Sequence, residues 1–66
     1  MTIYINSKQQ EMPEQTTIQE ALSLLNITPS GIALAVNNDI ISKHSWEQHT
    51  LQPQDKLTII RATQGG

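Results

Sequence analysis

The sequence has 66 residues, no cysteine, and four basic against six acidic side chains, which give a net charge of −2. A domain of this size buries only about 60% of the surface that its unfolded chain exposes, which leaves little room for an internal active site. The lack of cysteine excludes disulfides and thiol chemistry. The basic residues are scattered along the sequence, which argues against binding to nucleic acid. No apolar run approaches the roughly 18 residues that span a membrane. We therefore expect a cytoplasmic protein, monomeric when free, that works with a larger partner and with neither nucleic acid nor a membrane.

The first half of the chain predicts two strands followed by a helix. Apolar and other residues alternate over residues 2–6, the pattern of a half-buried strand, and residues 9–12 predict a second strand that Pro13 ends. Thr17 and Glu20 have the spacing of a capping box at a helix start. Apolar residues then recur at the spacing of one helix face: Ile18, Ala21, Leu22 and Leu25.

The second half predicts three further strands. Residues 32–36 alternate as a strand, residues 37–39 have turn chemistry, and residues 40–41 predict a short fourth strand. Residues 45–48 predict a single helical turn, and residues 57–62 predict the last strand. A hairpin, a helix and then more strands indicate an α+β fold, with a sheet covered by a helix on one face.

We expect residues 1–62 to form one domain and residues 63–66, which lack an apolar pattern, to form a flexible C-terminal tail. The predicted core is Ile3, Ile5, Ile18, Leu22, Leu25, Leu34, Val36, Ile40, Leu57 and Ile59. The residues that alternate with the core should line the opposite sheet face: Tyr4, Ala33, Ala35, Thr58, Ile60 and Ala62. This second face is interpreted either as ordinary sheet surface or as a patch that docks a partner, and we favour docking.

Four other residues have simple structural interpretations. His44 and His49 are five residues apart, so they would not share a helix face, and too few ligands lie nearby for a metal site. We expect both to be exposed to solvent. Trp46 is predicted to be a packing anchor under its loop, and Asp55 a turn residue before the last strand.

The order of elements, the length and the final Gly65-Gly66 pair resemble the ubiquitin-like β-grasp fold, and within it the ThiS family of sulfur carriers. Residues 33–37 resemble that family's central strand and following turn, and residues 40–43 with Trp46 resemble its short strand, basic residue and tryptophan. The last turn, strand and tail are similar at Leu51, Asp55, Lys56, Leu57, Ile59 and the two glycines. The fold implied is a mixed sheet of four to five strands packed on one main helix, with a short helical turn before the last strand.

The sequence departs from the family pattern at a few positions. Ser42 stands where a proline is common, Lys43 where an arginine is common, and Gln54 where a glycine is frequent. Thr63 and Gln64 make the approach to the glycines more polar than in many members. None of these positions is the reacting group.

The resemblance implies a sulfur carrier of thiamine biosynthesis that reacts through the carboxylate of Gly66. A carboxylate is a poor acyl donor, but its oxygen can attack the α-phosphorus of ATP to form an acyl-adenylate. Sulfur can then displace AMP and leave a thiocarboxylate. Gly65, which lacks a Cβ, can pass through a narrow channel, and a tail of Thr63, Gln64, Gly65 and Gly66 extends to about 14 Å.

The activating chemistry is expected to come from partners. The sequence contains no glycine-rich phosphate-binding loop, so we expect no cofactor on this chain, with ATP and Mg supplied through the adenylating partner. The resemblance implies a ThiF-like adenylating enzyme, a persulfide sulfur donor, and a ThiG-like thiazole synthase as acceptor. The chain is then a protein co-substrate and not an enzyme, with no catalytic residues and no metal site of its own.

Three alternatives share these features. One is a carrier for another acceptor, like the small subunit of molybdopterin synthase, although the short chain and the Trp46 region favour the thiamine branch. The second is a ubiquitin-like modifier that forms isopeptide bonds with lysines, and the third is a binding module with an inert tail. Two terminal glycines occur by chance about 0.5% of the time, which argues against an accidental tail, and the interpretation as a carrier rests on the tail together with the family-like residues upstream.

Overall fold

The computed structural model describes residues 1–61. The predictions made for Ala62 and for residues 63–66 lie outside the described residues. The elements are β1 (Thr2–Ile5), β2 (Lys8–Glu11), α1 (Ile18–Leu24), β3 (Ile32–Val36), β4 (Asp39–Ile40), a 3-10 turn (Lys43–Ser45) and β5 (Lys56–Arg61). The strand order is β2-β1-β5-β3-β4, with β1 and β5 parallel and the other neighbours antiparallel. This mixed five-stranded sheet with one helix confirms the predicted α+β fold.

The helix begins where the capping box predicts. The backbone N–H of Glu20 donates to the Thr17 hydroxyl at 3.2 Å, and the Thr17 N–H donates to the Glu20 carboxylate at 3.0 Å. These two bonds confirm the capping box. Asn26 follows the last turn with a φ of 58°, the left-handed conformation that ends many helices. The 3-10 turn starts two residues earlier than the predicted helical turn, and the N–H groups of Gln48 and His49 both donate to the Ser45 carbonyl, so a hydrogen-bonded turn also covers the predicted residues.

The central strand is β5, which lies between β1 and β3. Ile5 and Val36 both pair with Leu57, one from each side. Beyond the end of β1, the Asn6 side chain continues the pairing, because its Oδ1 accepts from the Ile59 N–H at 2.8 Å and its Nδ2 donates to the Ile59 carbonyl at 3.3 Å. The strand that leads to the tail is therefore held on both sides as far as Ile59.

The core between α1 and the sheet contains most of the predicted residues. The buried apolar side chains are Ile3, Ile5, Met12, Ile18, Ala21, Leu22, Leu34, Val36, Trp46, Leu51 and Leu57, with Leu25 and Ile59 half-buried against them. The anchor role of Trp46 is confirmed, since its side chain is 1% exposed and its Nε1 donates to the Ile41 carbonyl at 3.0 Å. The predicted core omitted Met12 and Leu51, although Met12 ends the strand predicted over residues 9–12; Leu51 lies in no predicted element.

The prediction that Ile40 belongs to the core is wrong, because its side chain is 82% exposed. Ile40 pairs with Ala35, which alternates with the buried Leu34 and Val36. Residues directly opposite on neighbouring strands share a face of the sheet, so Ile40 lies on the face away from α1.

Asp55 has more contacts than a turn residue requires. It is buried, and its carboxylate accepts hydrogen bonds from the Gln52 N–H at 2.7 Å and from Asn37 Nδ2 at 3.0 Å. The Asn37 side chain in turn accepts from the Lys56 N–H at 3.1 Å. We call Asn37 and Asp55 the Asn37–Asp55 clamp, because together they tie the turn after β3 to the start of β5.

No helix within residues 1–61 is long and apolar enough to cross a membrane.

Candidate functional site

The predicted reactive tail begins directly after β5. Thr63, Gln64, Gly65 and Gly66 lie outside the described residues, but the structure describes the strand from which they start. Ile60 pairs with Ala33, and Arg61 pairs with Ile32. The last described residue is therefore still fixed to β3, and the tail starts from a defined position at one end of the sheet.

The predicted docking residues lie on one face of the sheet. Ala33 pairs with Ile60, Ala35 with Thr58, and Tyr4 with Lys56, two residues before Thr58. Because cross-strand partners share a face, the five described residues all lie on the side away from α1. Ala33, Thr58 and Ile60 are exposed, whereas Tyr4 and Ala35 are half-buried. The sixth, Ala62, lies outside the described residues.

The structure adds Ile40 to this face. Ile40, Ala35, Ala33 and Ile60 form an apolar stripe across β4, β3 and β5, with Ile60 60% exposed. Its position could have been read from the sequence. Asn37 and Asn38 have φ values of 51° and 74°, those of a two-residue hairpin turn that asparagine favours. Such a turn pairs the residues that flank it, which places Ile40 opposite Ala35.

A third exposed apolar side chain lies on the other side of the molecule. Leu24, in the last turn of α1, is 58% exposed, nearly the same fraction as Ile60. It is separated from the apolar stripe by the sheet and the core. Leu24 therefore provides a control for Ile60 that is matched in size and exposure.

The two histidines do not form a ligand site with their neighbours. His44 is exposed, as predicted, whereas His49 is half-buried and its carbonyl accepts the Ile18 N–H at 3.0 Å. Within residues 1–61 no group of three or more histidine, cysteine, aspartate or glutamate side chains is arranged to hold a metal ion.

Comparison with known proteins gives a consistent result. The family model described as ThiS family matches residues 2–66. The sulfur carrier protein ThiS of Escherichia coli (strain K12) is 30% identical over 66 residues, which cover the whole of both chains. The crystal structure of a thiamine biosynthesis protein (ThiS) from Geobacter metallireducens is similar with a TM-score of 0.86 at 19% identity and full coverage of both chains. A solution structure from the same organism gives a TM-score of 0.77 at 19% identity, covering all of this chain and 88% of the other.

Proposed function

This chain belongs to the ThiS family, and on that premise we propose that it carries sulfur for thiamine biosynthesis as a thiocarboxylate on Gly66. The observation that carries the proposal is the family match, which runs to the last glycine and includes β5, the strand that leads to it. As a sulfur carrier the chain is a protein co-substrate and not an enzyme. The family match also favours the thiamine branch over the molybdopterin-synthase alternative.

The proposed cycle converts a poor leaving group into a good one. A carboxylate oxygen of Gly66 attacks the α-phosphorus of ATP, pyrophosphate leaves, and an acyl-adenylate forms. The terminal sulfur of a persulfide donor then attacks the acyl carbon, and AMP leaves. A thiol reductant supplies two electrons to cleave the resulting S–S bond, which frees the donor thiol and the thiocarboxylate. In the last step the thiocarboxylate sulfur acts as a nucleophile and is transferred to the acceptor.

The partners we propose follow from these steps. A ThiF-like adenylating enzyme binds ATP and Mg and receives the tail, and a ThiG-like thiazole synthase accepts the sulfur. Because the cycle consumes ATP, we propose the cytoplasm as its compartment. An extended stretch of the five residues after Arg61 reaches at most about 18 Å, so any enzyme that takes Gly66 into its active site must lie close to the end of β5.

The apolar stripe is the surface proposed to meet that enzyme. Ile60 lies six residues before Gly66, and its exposed side chain faces the same way as Ile40, Ala33 and Ala35. Exposed apolar surface next to the exit of the tail would be covered whenever the tail is engaged, and covering it favours binding through the hydrophobic effect. Tyr4 and Thr58 would border this contact.

Deleting Gly66 tests the proposal most simply. With a purified ThiF-like enzyme and MgATP, the intact chain should support exchange of pyrophosphate into ATP, and the shortened chain should not. Thermal unfolding of the two chains should agree, because the deletion removes no residue of the described core. An intact chain that supports no exchange, or a shortened chain with full exchange, would contradict the proposed function.

A further inference from the structure

The acidic side chains of this chain are gathered at one end of the sheet. They are Glu11, Glu14, Glu20, Asp39, Glu47 and Asp55. Glu11 pairs with Thr2, the first residue of β1, and Asp39 pairs with Val36, the last residue of β3. Both positions are level with the start of β5, although each lies two strands away from it, and Asp55 immediately precedes β5. Three of the six carboxylates are thus at the end of the sheet where β5 begins.

The other three surround the start of α1, which lies at the same end. Glu20 caps Thr17 in the first turn, and Glu47 follows Trp46, whose carbonyl accepts a hydrogen bond from that turn. Glu14 lies in the segment between β2 and α1. A backbone hydrogen bond of 2.8 Å between residues 51 and 16 ties this region to the segment just before β5. All six negative side chains therefore lie far from the exit of the tail.

The opposite end of the sheet carries a positive charge instead. Arg61 is exposed at the end of β5 and pairs with Ile32, and residues 25–31, which lead into β3, are all uncharged. Residues 62–66 add no charged side chain. Within residues 1–61 Arg61 forms no salt bridge. Its guanidinium is the charged side chain nearest to the tail in sequence, and it has no intramolecular carboxylate to satisfy it among the described residues.

The distance between the two charged regions is longer than the range of electrostatic interactions at physiological salt. From Lys56 to Arg61, β5 rises by about 17 Å at roughly 3.3 Å per residue. The Debye length at physiological ionic strength is about 8 Å, so the carboxylates are largely screened from a partner at the tail end. An acidic surface would attract Arg61 and repel the end of the sheet where the six carboxylates outnumber Lys56, which would orient the carrier as it approaches. The Gly66 carboxylate also carries a negative charge, but an extended tail places it about 18 Å from Arg61, beyond the Debye length.

We propose that the adenylating partner has an acidic rim around the entrance of its tail channel, and that Arg61 pairs with a carboxylate of that rim. The inference rests on the proposed function. We favour a carboxylate over the phosphates of ATP as the group that Arg61 contacts. ATP must lie at the reacting group of Gly66, and an extended tail keeps Arg61 about 18 Å from that group. Arg61 is thus a positioning residue that acts on docking, and it takes no part in the chemical step.

The test is the kinetics of adenylation for Arg61→Glu and for Lys8→Glu. Lys8→Glu makes the same change in net charge on the edge strand β2, two strands away from β5. With a ThiF-like enzyme and MgATP at about 0.05 M salt, Arg61→Glu should raise the KM for the carrier about five- to tenfold with little change in kcat. At about 0.5 M salt the difference should fall below about twofold. Lys8→Glu should change KM less than twofold at either salt concentration.

The outcomes separate this inference from the proposed function. If the wild-type chain is adenylated but Arg61→Glu matches it at low salt, or if both variants raise KM equally, the acidic rim is refuted and the carrier role stands. A KM increase that does not decline with salt would also refute it, because it would indicate a structural effect. If the wild-type chain is not adenylated, both proposals fail. Thermal unfolding of each variant, followed by fluorescence of the single buried Trp46, checks that the fold is kept.

Discussion

The two ends of β5 are built in different ways. At its start, the Asn37–Asp55 clamp and a 2.9 Å hydrogen bond from the Tyr4 N–H to the Asp55 carbonyl hold the strand, and the Asp55 side chain is buried. At its finish, Ile60 and Arg61 are exposed, and beyond Ile59 the pairing within residues 1–61 is with β3 alone. The difference shows how one strand can serve two purposes. The first end fixes the fold, and the second is the end that we propose meets a partner.

The largest expected effect is at the start of β5, with Asp55→Ala. The substitution removes two hydrogen bonds accepted by a buried carboxylate, each worth about 1 kcal/mol, so we expect the free energy of unfolding to fall by about 2 kcal/mol. Urea unfolding followed by Trp46 fluorescence measures this change. Asp39→Ala, at an exposed carboxylate of β4, should lower the free energy of unfolding by less than about 0.5 kcal/mol. Equal effects of the two substitutions would mean that the clamp does not stabilise this end.

An effect of intermediate size is expected at the finish of β5, with Ile60→Asp. A carboxylate in the apolar stripe should raise the KM for adenylation about tenfold, equivalent to about 1.4 kcal/mol, while the unfolding midpoint barely changes. Leu24→Asp alters a side chain of the same exposure on the other side of the molecule and should change KM less than twofold. If Leu24→Asp impairs adenylation as much as Ile60→Asp does, the docking face has been placed on the wrong side of the sheet.

The smallest expected effect is at Gln54, just before the clamp. Its φ is 71°, a left-handed conformation that costs a residue with a Cβ about 1–2 kcal/mol. Its backbone N–H donates a hydrogen bond to the Thr2 carbonyl at 2.7 Å, and any substitution should keep this bond. Gln54→Gly keeps the N–H and removes the strain, but it also increases the freedom of the unfolded chain. We therefore expect a net gain of about 0.5 kcal/mol in urea unfolding. Gln52→Gly, at a position without a positive φ, should give no gain, and a loss of stability in Gln54→Gly would contradict this account.

The sequence predicts those parts of the fold that depend on local signals. The capping box of Thr17 and Glu20 and the alternation along β3 and β5 need only neighbouring residues, and the structure confirms both. Ile40 was misplaced because its hydrophobicity was weighed without the register that the Asn37-Asn38 turn imposes. A one-residue difference in register reverses the face on which a strand residue lies.

Two features of the site required the three-dimensional structure. The Asn37–Asp55 clamp joins residues 18 positions apart, and nothing in the local sequence around Asp55 identifies its partner. The clustering of the six carboxylates likewise arises because the start of α1 and the start of β5 meet at one end of the sheet. By contrast, the shared face of the proposed docking residues followed from alternation alone, since the five of the six that are described lie on one side of the sheet.

The central claim is that sulfur is carried on Gly66. The chain is incubated with a ThiF-like enzyme, MgATP, a persulfide donor and a thiol reductant, and is then cleaved by trypsin after Arg61. The direct measurement is the mass of the resulting C-terminal peptide. The account predicts that the peptide of residues 62–66 becomes heavier by the difference between one sulfur and one oxygen, and that omitting ATP prevents the change. An unaltered terminal peptide, or a sulfur atom found only on another peptide, would contradict it.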